Sequence, residues 1–260
     1  MVMQSCDIFL NKQGYLRGET VNHDLVARFA DLADLIQSHQ AEAEAQGRLS
    51  QPVVQGLVDA GIGRLYLPKS LGGEEADPLT VAAITATIAH SDTAAAWFVM
   101  VANAARLGAQ FWPAELVEEL WADDPDTIIA ASANKPFSAT RVEGGVVLKG
   151  TNSFVSGAHH ARYLLSPVLL DDQMVMALVA MADCRIIDNW RSLGMRGTGS
   201  NDVAADGVFV PERHLVRVSD PPPERTHYYT GALYRCPSRI LFATYVPVTL
   251  VLAERALSQR

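Results

Sequence analysis

Phe154 and Ser156 stand two residues apart in the run Gly150-Thr151-Asn152-Ser153-Phe154-Val155-Ser156-Gly157. Side chains alternate along a β-strand, so such a pair points to one face, where an aromatic wall and a hydroxyl donor can meet the same planar ring. The plainer alternative is a strand whose aromatic packs in the core. Asn134, in Ser132-Ala133-Asn134-Lys135-Pro136, is either an amide that donates to a carbonyl or ring nitrogen, or a turn residue satisfying its own backbone. Arg196-Gly197-Thr198-Gly199-Ser200 has the glycines, hydroxyls and guanidinium that cradle an anion, and reads equally as a plain turn with a solvated arginine. It is not a nucleotide fingerprint, since it lacks the Gly-Lys-Ser/Thr ending of a phosphate loop. His159-His160 argues against a metal site, because neighbours on a strand face opposite sides and no third ligand is suitably spaced. Trp97 and Trp112 fall at helical positions where core packing is the first expectation. Trp97 is kept, with Arg196, as a candidate cleft residue.

Composition narrows the class. The chain has 260 residues, 49% of them hydrophobic, enough for one large domain or two to three small ones. A net charge of -8 without a Lys/Arg stripe argues against nucleic-acid binding. Cys6, Cys184 and Cys236 are too few and scattered for a disulfide framework, so a reducing, cytoplasmic setting is expected. Met1 to Leu10 lacks the basic start of a signal peptide. The apolar stretch Ile240 to Ala253 is too short to span a bilayer and contains Pro247, so it reads as a core helix, and no membrane partner is expected.

The candidate residues need a frame. Leu25, Phe29, Leu32 and Ile36 recur at helical steps within one amphipathic helix over 22–46, stopped by Gly47. A second helix follows Ser50-Pro52 and ends at Gly61. Leu67-Pro68-Lys69-Ser70-Leu71-Gly72-Gly73 must turn. A third helix starts at Asp77-Pro78, a fourth runs from Ser91-Asp92 to about Leu107, and a fifth covers Pro113 to Trp121. After Asp123-Asp124-Pro125-Asp126 the pattern becomes β-rich. Strands are expected at 127–132, 140–143, 146–149, 163–170, 174–180, 186–188 and 203–210, with a hairpin across Gly144-Gly145. Pro221-Pro222-Pro223 is a stiff linker, and a helix running to Arg260 is apolar nearly all round and expects neighbours on every side. The expected fold is α+β: an N-terminal helical domain (1–122), a middle antiparallel β sandwich or barrel (123–220), and a linker with the first helix of a C-terminal helical bundle (221–260).

Four segments resemble the acyl-CoA dehydrogenase superfamily, which includes related flavin-dependent monooxygenases. They are Gly61 to Gly73; Gly150 to Gly157; Trp190-Arg191-Ser192-Leu193-Gly194-Met195-Arg196-Gly197-Thr198-Gly199-Ser200 with Val208-Phe209-Val210-Pro211; and Leu233-Tyr234-Arg235 through Leu257. The resemblance implies a flavin, FAD or FMN, held by Ser132, Ala133, Asn134, Phe154, Val155 and Ser156, with Trp97 and Arg196 at the flavin and substrate cleft. It implies a small-molecule substrate, a homo-oligomer of the homotetramer kind, and an architecture that 260 residues stop short of completing. Two departures stand out. Where relatives have Thr-Glu-Pro followed by Gly-Ser-Asp, only the proline is kept, and Phe137-Ser138-Ala139-Thr140 lacks the turn that helps hold CoA phosphates. The histidine some monooxygenases carry in the fourth helix is absent at Ala102-Asn103-Ala104-Ala105. On balance the motifs are more similar to a two-component monooxygenase fed reduced flavin by a reductase partner. The alternatives are an acyl-CoA dehydrogenase, which needs a carboxylate base, and a non-catalytic half subunit that pairs with a helical partner chain. Glu254, the only carboxylate on the last helix, reads as a surface or bundle-edge residue, so the catalytic residue stays unassigned.

Overall fold

The computed structural model describes residues 21–216, 224–235 and 244–258. Expectations about Cys6 and the first ten residues, Pro221-Pro222-Pro223, Cys236-Pro237 and Ile240 to Phe242 lie outside the described residues.

The first expected helix is three: α1 (His23–Ala30), α2 (Ala33–Ser38) and α3 (Gln40–Gln46). The breaks have local causes. Leu32 N–H turns to the Phe29 carbonyl, three residues back. At the second break the Ser38 hydroxyl and His39 Nδ1 both bond the Leu35 carbonyl, competing with the helical ladder. α4 (Gln51–Asp59) has Pro52 in its first turn, and Gly61 behind it takes the left-handed φ of 88°. In the turn that follows, a side chain at Gly73 would place its Cβ 1.9 Å from the Leu67 carbonyl oxygen, so only glycine closes it.

α5 (Pro78–Ser91) begins where the Asp77 carboxylate accepts from Leu79 and Thr80 N–H at 2.8 and 3.1 Å. α6 (Thr93–Gly108) begins where Asp92 accepts from Ala94 N–H at 2.8 Å. α7 (Ala114–Trp121) follows Pro113. α8 (Tyr245–Ser258) packs on α5 and α6 through buried Pro247, Val248 and Val251. It is not enclosed by the described residues. Val246, Leu250, Leu252 and Leu257 are exposed among them, so the expectation of neighbours on every side is met on one side only.

The strands are β1 (Ile129–Ala131), β2 (Phe137–Val142), β3 (Gly145–Val155), β4 (Tyr163–Leu170), β5 (Gln173–Ala180), β6 (Arg185–Ile187), β7 (Asn201–Pro211) and β8 (Leu215–Val216). They form one sheet in the order β6-β7-β3-β2-β4-β5-β8, with β1 also on β4. The β2–β3 hairpin closes with Val142 opposite Gly145. The sheet is mixed rather than purely antiparallel, because β1 and β2 both run parallel to β4. β5 occupies the other edge of β4 along its whole length, so β1 and β2 share one edge, at Tyr163–Leu165 and Val168–Leu169. The intervening segment, 132–136, must therefore leave the sheet. That excursion puts the Ser132-Ala133-Asn134 run beside α6.

Candidate functional site

α6, the 131–134 excursion, the end of β3, the 190–200 loop and the first turn of α8 enclose a cleft of about 440 Å³. Trp97, Met100, Val101 and Ala104 supply one wall, at steps that place them on a single helical face. Leu165 and Met176 form part of the floor from β4 and β5, and Phe154, Trp190 and Tyr245 close the remaining sides. Tyr245 meets Trp97 edge-on at 4.9 Å between ring centroids, and Phe154 meets Trp190 edge-on at 6.2 Å. Burial raises the Tyr245 phenol above its ordinary value, so it stays protonated at neutral pH. The described lining contains no carboxylate and no imidazole.

The cleft brings together Trp97, Ser132, Ala133, Asn134, Phe154 and Ser156 from the residues the sequence nominates. Phe154 and Ser156 converge for a different reason than strand alternation. The register between β3 and β7 slips between Asn152 and Val155, and Phe154 takes a left-handed φ of 58° in that bulge. Its ring is thrown out of the sheet, 58% exposed, and Ser156 follows one residue past the strand end. Val155, between them, is fully buried opposite Asn201 and does not line the cleft. Arg196 does not line it either. Its backbone N–H bonds Glu44 Oε1 at 3.3 Å and its Nε is buried. Its loop neighbour Ser200 lines the cleft instead. His159 and His160 lie in the turn after β3, not on a strand, and no group of three metal-ligating side chains occurs among the described residues.

Polar groups in the cleft are tied to one another. Ser132 Oγ donates to the Ser153 carbonyl at 2.9 Å, and Asn134 Nδ2 donates to Ser132 Oγ and to the Ser153 carbonyl at 3.3 and 3.1 Å. Both Asn134 amide protons are thereby engaged, one within its own segment and one on β3, and Oδ1 is what its side chain has left to offer. Trp97 Nε1–H donates to Ser156 Oγ at 3.1 Å, Ser156 Oγ pairs with Ser200 Oγ at 2.8 Å, and Ser200 Oγ pairs with Thr198 Oγ1 at 2.8 Å. Met100, Val101, Ala104, Ala131, Leu165, Met176 and Tyr245 were not singled out from the sequence, and Trp190 and Ser200 only as parts of a longer motif. The helical spacing from Trp97 through Met100 and Val101 to Ala104 carried the signal for those α6 residues; the rest are assembled by tertiary contact.

Residues 22–110 match the family described as acyl-CoA dehydrogenase, N-terminal domain. That segment is similar to the acyl-CoA dehydrogenase family. Among curated relatives it is similar to the flavin-dependent monooxygenase oxygenase subunit HsaA of Rhodococcus jostii (strain RHA1), at 26% identity over 86% of this chain and 61% of that protein. It is also similar to a pigment production hydroxylase of Rhodococcus sp. (strain ATCC 21145), at 29% identity over 73% of this chain and 49% of that one. Among solved structures, XiaF from Streptomyces sp. in complex with FADH2 and glycerol superposes with a TM-score of 0.82 at 26% identity, covering 90% of this chain and 62% of that one. The chain thus spans between 49% and 62% of the length of these relatives. No helix among the described residues is long and apolar enough to cross a membrane.

Proposed function

We propose that the cleft holds the ring system of a flavin, FAD or FMN, and that the chain carries the flavin site of an oxygenase component whose reduced flavin comes from a separate reductase. The observation that carries this reading is the geometry at the end of β3. The bulge at Phe154 presents an aromatic wall and the Ser156 hydroxyl to one cleft that Trp97 also lines. At about 440 Å³ the cleft lies within the range of small-molecule sites. Its Ser156 hydroxyl suits a carbonyl or unprotonated nitrogen of a planar heterocycle, and its apolar sides suit the ring faces. The relatives named as monooxygenase subunits or hydroxylases, and the FADH2 complex of XiaF, support the assignment.

A bound reduced flavin would supply the electrons that activate oxygen toward a small-molecule substrate. The chain's own contribution is orientation and shielding. Ser156 would hold a ring acceptor, Phe154 and Trp190 would cover a ring face, and Met100, Met176 and Tyr245 would keep water from the substrate side. The separation into domains at residues 122 and 220 belongs to the same reading, with the cleft set between helices and sheet.

The test is titration of the purified chain with FMN and FAD, oxidised and anaerobically reduced, followed by flavin fluorescence and absorbance. Saturable binding that Phe154→Ala and Ser156→Ala both weaken supports the reading. Flavin spectra unchanged by excess protein in both redox states would overturn it.

A further inference from the structure

The three hydroxyls of Ser156, Ser200 and Thr198 and the indole N–H of Trp97 form one chain: Trp97 to Ser156 at 3.1 Å, Ser156 to Ser200 at 2.8 Å, and Ser200 to Thr198 at 2.8 Å. These four groups own four protons and share three bonds, so one proton is left over. Where it goes is decided at the Thr198 end. Thr198 faces a closed pocket lined by Leu49, Ala94, Phe98, Val101 and His160, with no room for a water molecule. Among the described residues Ser200 is the one hydrogen-bond partner of its side chain. A Thr198 proton turned into that pocket would be buried and unbonded, so Thr198 donates to Ser200. A chain of hydroxyls is strongest when every member both accepts and donates, so Ser200 passes its own proton to Ser156. Ser156 Oγ then accepts twice, from Trp97 and Ser200, and its lone pairs are filled.

From this count we infer that Thr198 and Ser200 are positioning residues that make the Ser156 hydroxyl an obligate donor into the cleft. An isolated serine accepts or donates as its ligand demands. This one offers only a proton, so it selects a carbonyl oxygen or an unprotonated ring nitrogen over a ring N–H at that point. The assignment takes the cleft as the ligand site of the proposed function, but the polarity of the chain is a property of the protein alone. Neither the sequence run nor the superfamily likeness specifies it.

Two measurements on the whole chain test it. With four tryptophans in the chain, the indole N–H signal of Trp97 can be assigned in a nitrogen-15 correlation spectrum through Trp97→Phe. With the proposed polarity, Ser200→Ala removes a competing donor from Ser156 and strengthens the Trp97 bond, moving the Trp97 proton downfield while the other three indole signals hold their positions. An upfield shift reverses the polarity, and no shift breaks the coupling; either overturns the inference. For the ligand side the probe is FMN. Ser156→Ala should weaken it about tenfold and the near-isosteric Thr198→Val about threefold, with Thr198→Ser restoring wild-type affinity. Wild-type FMN binding with no loss in Thr198→Val would also overturn it. If the wild-type chain fails to bind FMN while the Trp97 shift appears as expected, the flavin reading fails and the hydroxyl polarity stands.

Discussion

Asn103 is fully buried in the middle of α6 and uses its whole amide. Its Nδ2 donates to the Ile62 and Val99 carbonyls at 2.8 Å each, and its Oδ1 accepts from Tyr66 N–H at 3.2 Å. A short polar side chain here stitches the turn after α4 to the helix that builds one cleft wall. Asn103→Ala leaves the Ile62 carbonyl and the Tyr66 N–H unpaired in the core, and the expected loss is about 3 kcal/mol in urea unfolding. A loss below about 0.5 kcal/mol would show that the stitch is replaced. The sequence marks only the stretch Ala102-Asn103-Ala104-Ala105, as one where a histidine of some relatives is missing. Its structural duty depends on a partner turn 37 residues upstream. Phe154 illustrates the same gap. That Phe154 and Ser156 face one cleft was legible, yet the bulge that aims the ring is set by register against β7, which no local pattern encodes. Asn134 lines the cleft, and its amide protons are taken by Ser132 Oγ and the Ser153 carbonyl.

Among the elements, α6 and α7 are tied to the sheet by charged side chains. Arg106, at the end of α6, is fully buried and, among the described residues, has no carboxylate on its guanidinium. It donates to the carbonyls of Ala102, Pro125 and Thr127, and its guanidinium lies over the Trp121 ring at 5.3 Å. Burial lowers its pKa to about 10, still well above neutral, so it remains charged. Lysine cannot reproduce a planar fork that spans carbonyls on two segments, so Arg106→Lys should cost about 3 kcal/mol in chemical denaturation. A near-neutral result would mean the carbonyls find other donors. Glu119 on α7 accepts from Arg213 Nε and pairs with His214 Nε2, both at 2.9 Å. The Arg213 hydrogen bond, with help from His214, holds its carboxyl below the usual glutamate value. A carboxylate with a depressed folded pKa adds stability above its unfolded pKa and loses it as pH falls through the folded value. Glu119→Gln should therefore be less stable than wild type at pH 7, by a small amount that high salt reduces, and indistinguishable from it in strong acid. A stability gap that persists unchanged into acid would show that the pair acts through packing. The helix starts at Asp77 and Asp92 were readable because a cap is local chemistry. The arginine was not, since a lone Arg in an alanine-rich helix reads as solvated until the chain entering β1 is folded over it.

The whole molecule joins a helical layer to a mixed sheet. The turn that follows β3 carries the cost of that junction. His160 sits there, edge-on to Phe98 at 5.9 Å between ring centroids, with Nε2 buried and unpaired. Burial is the main cause that lowers its pKa to about 4, and His159 and Arg48 add to it. The unfolded imidazole titrates near 6.5. Between about 4 and 6.5 the unfolded chain binds the extra proton and the folded chain does not, so folding stability rises with pH across that window. It is flat with respect to this group above and below. The span corresponds to about 3 kcal/mol if the shift is fully expressed. The carboxylates, Glu119 among them, add their own acid sensitivity at lower pH, so the signature of His160 is the part of the slope that disappears on its replacement. Unfolding curves in urea at pH 4 to 8 should show wild-type stability climbing between about pH 4 and 6.5, the His160 contribution being steepest midway between those values, and His160→Leu should flatten that rise while leaving the acid limb below pH 4 in place. Equal slopes for the two proteins in that window would place the histidine in contact with solvent and remove it from the junction between α6 and the sheet.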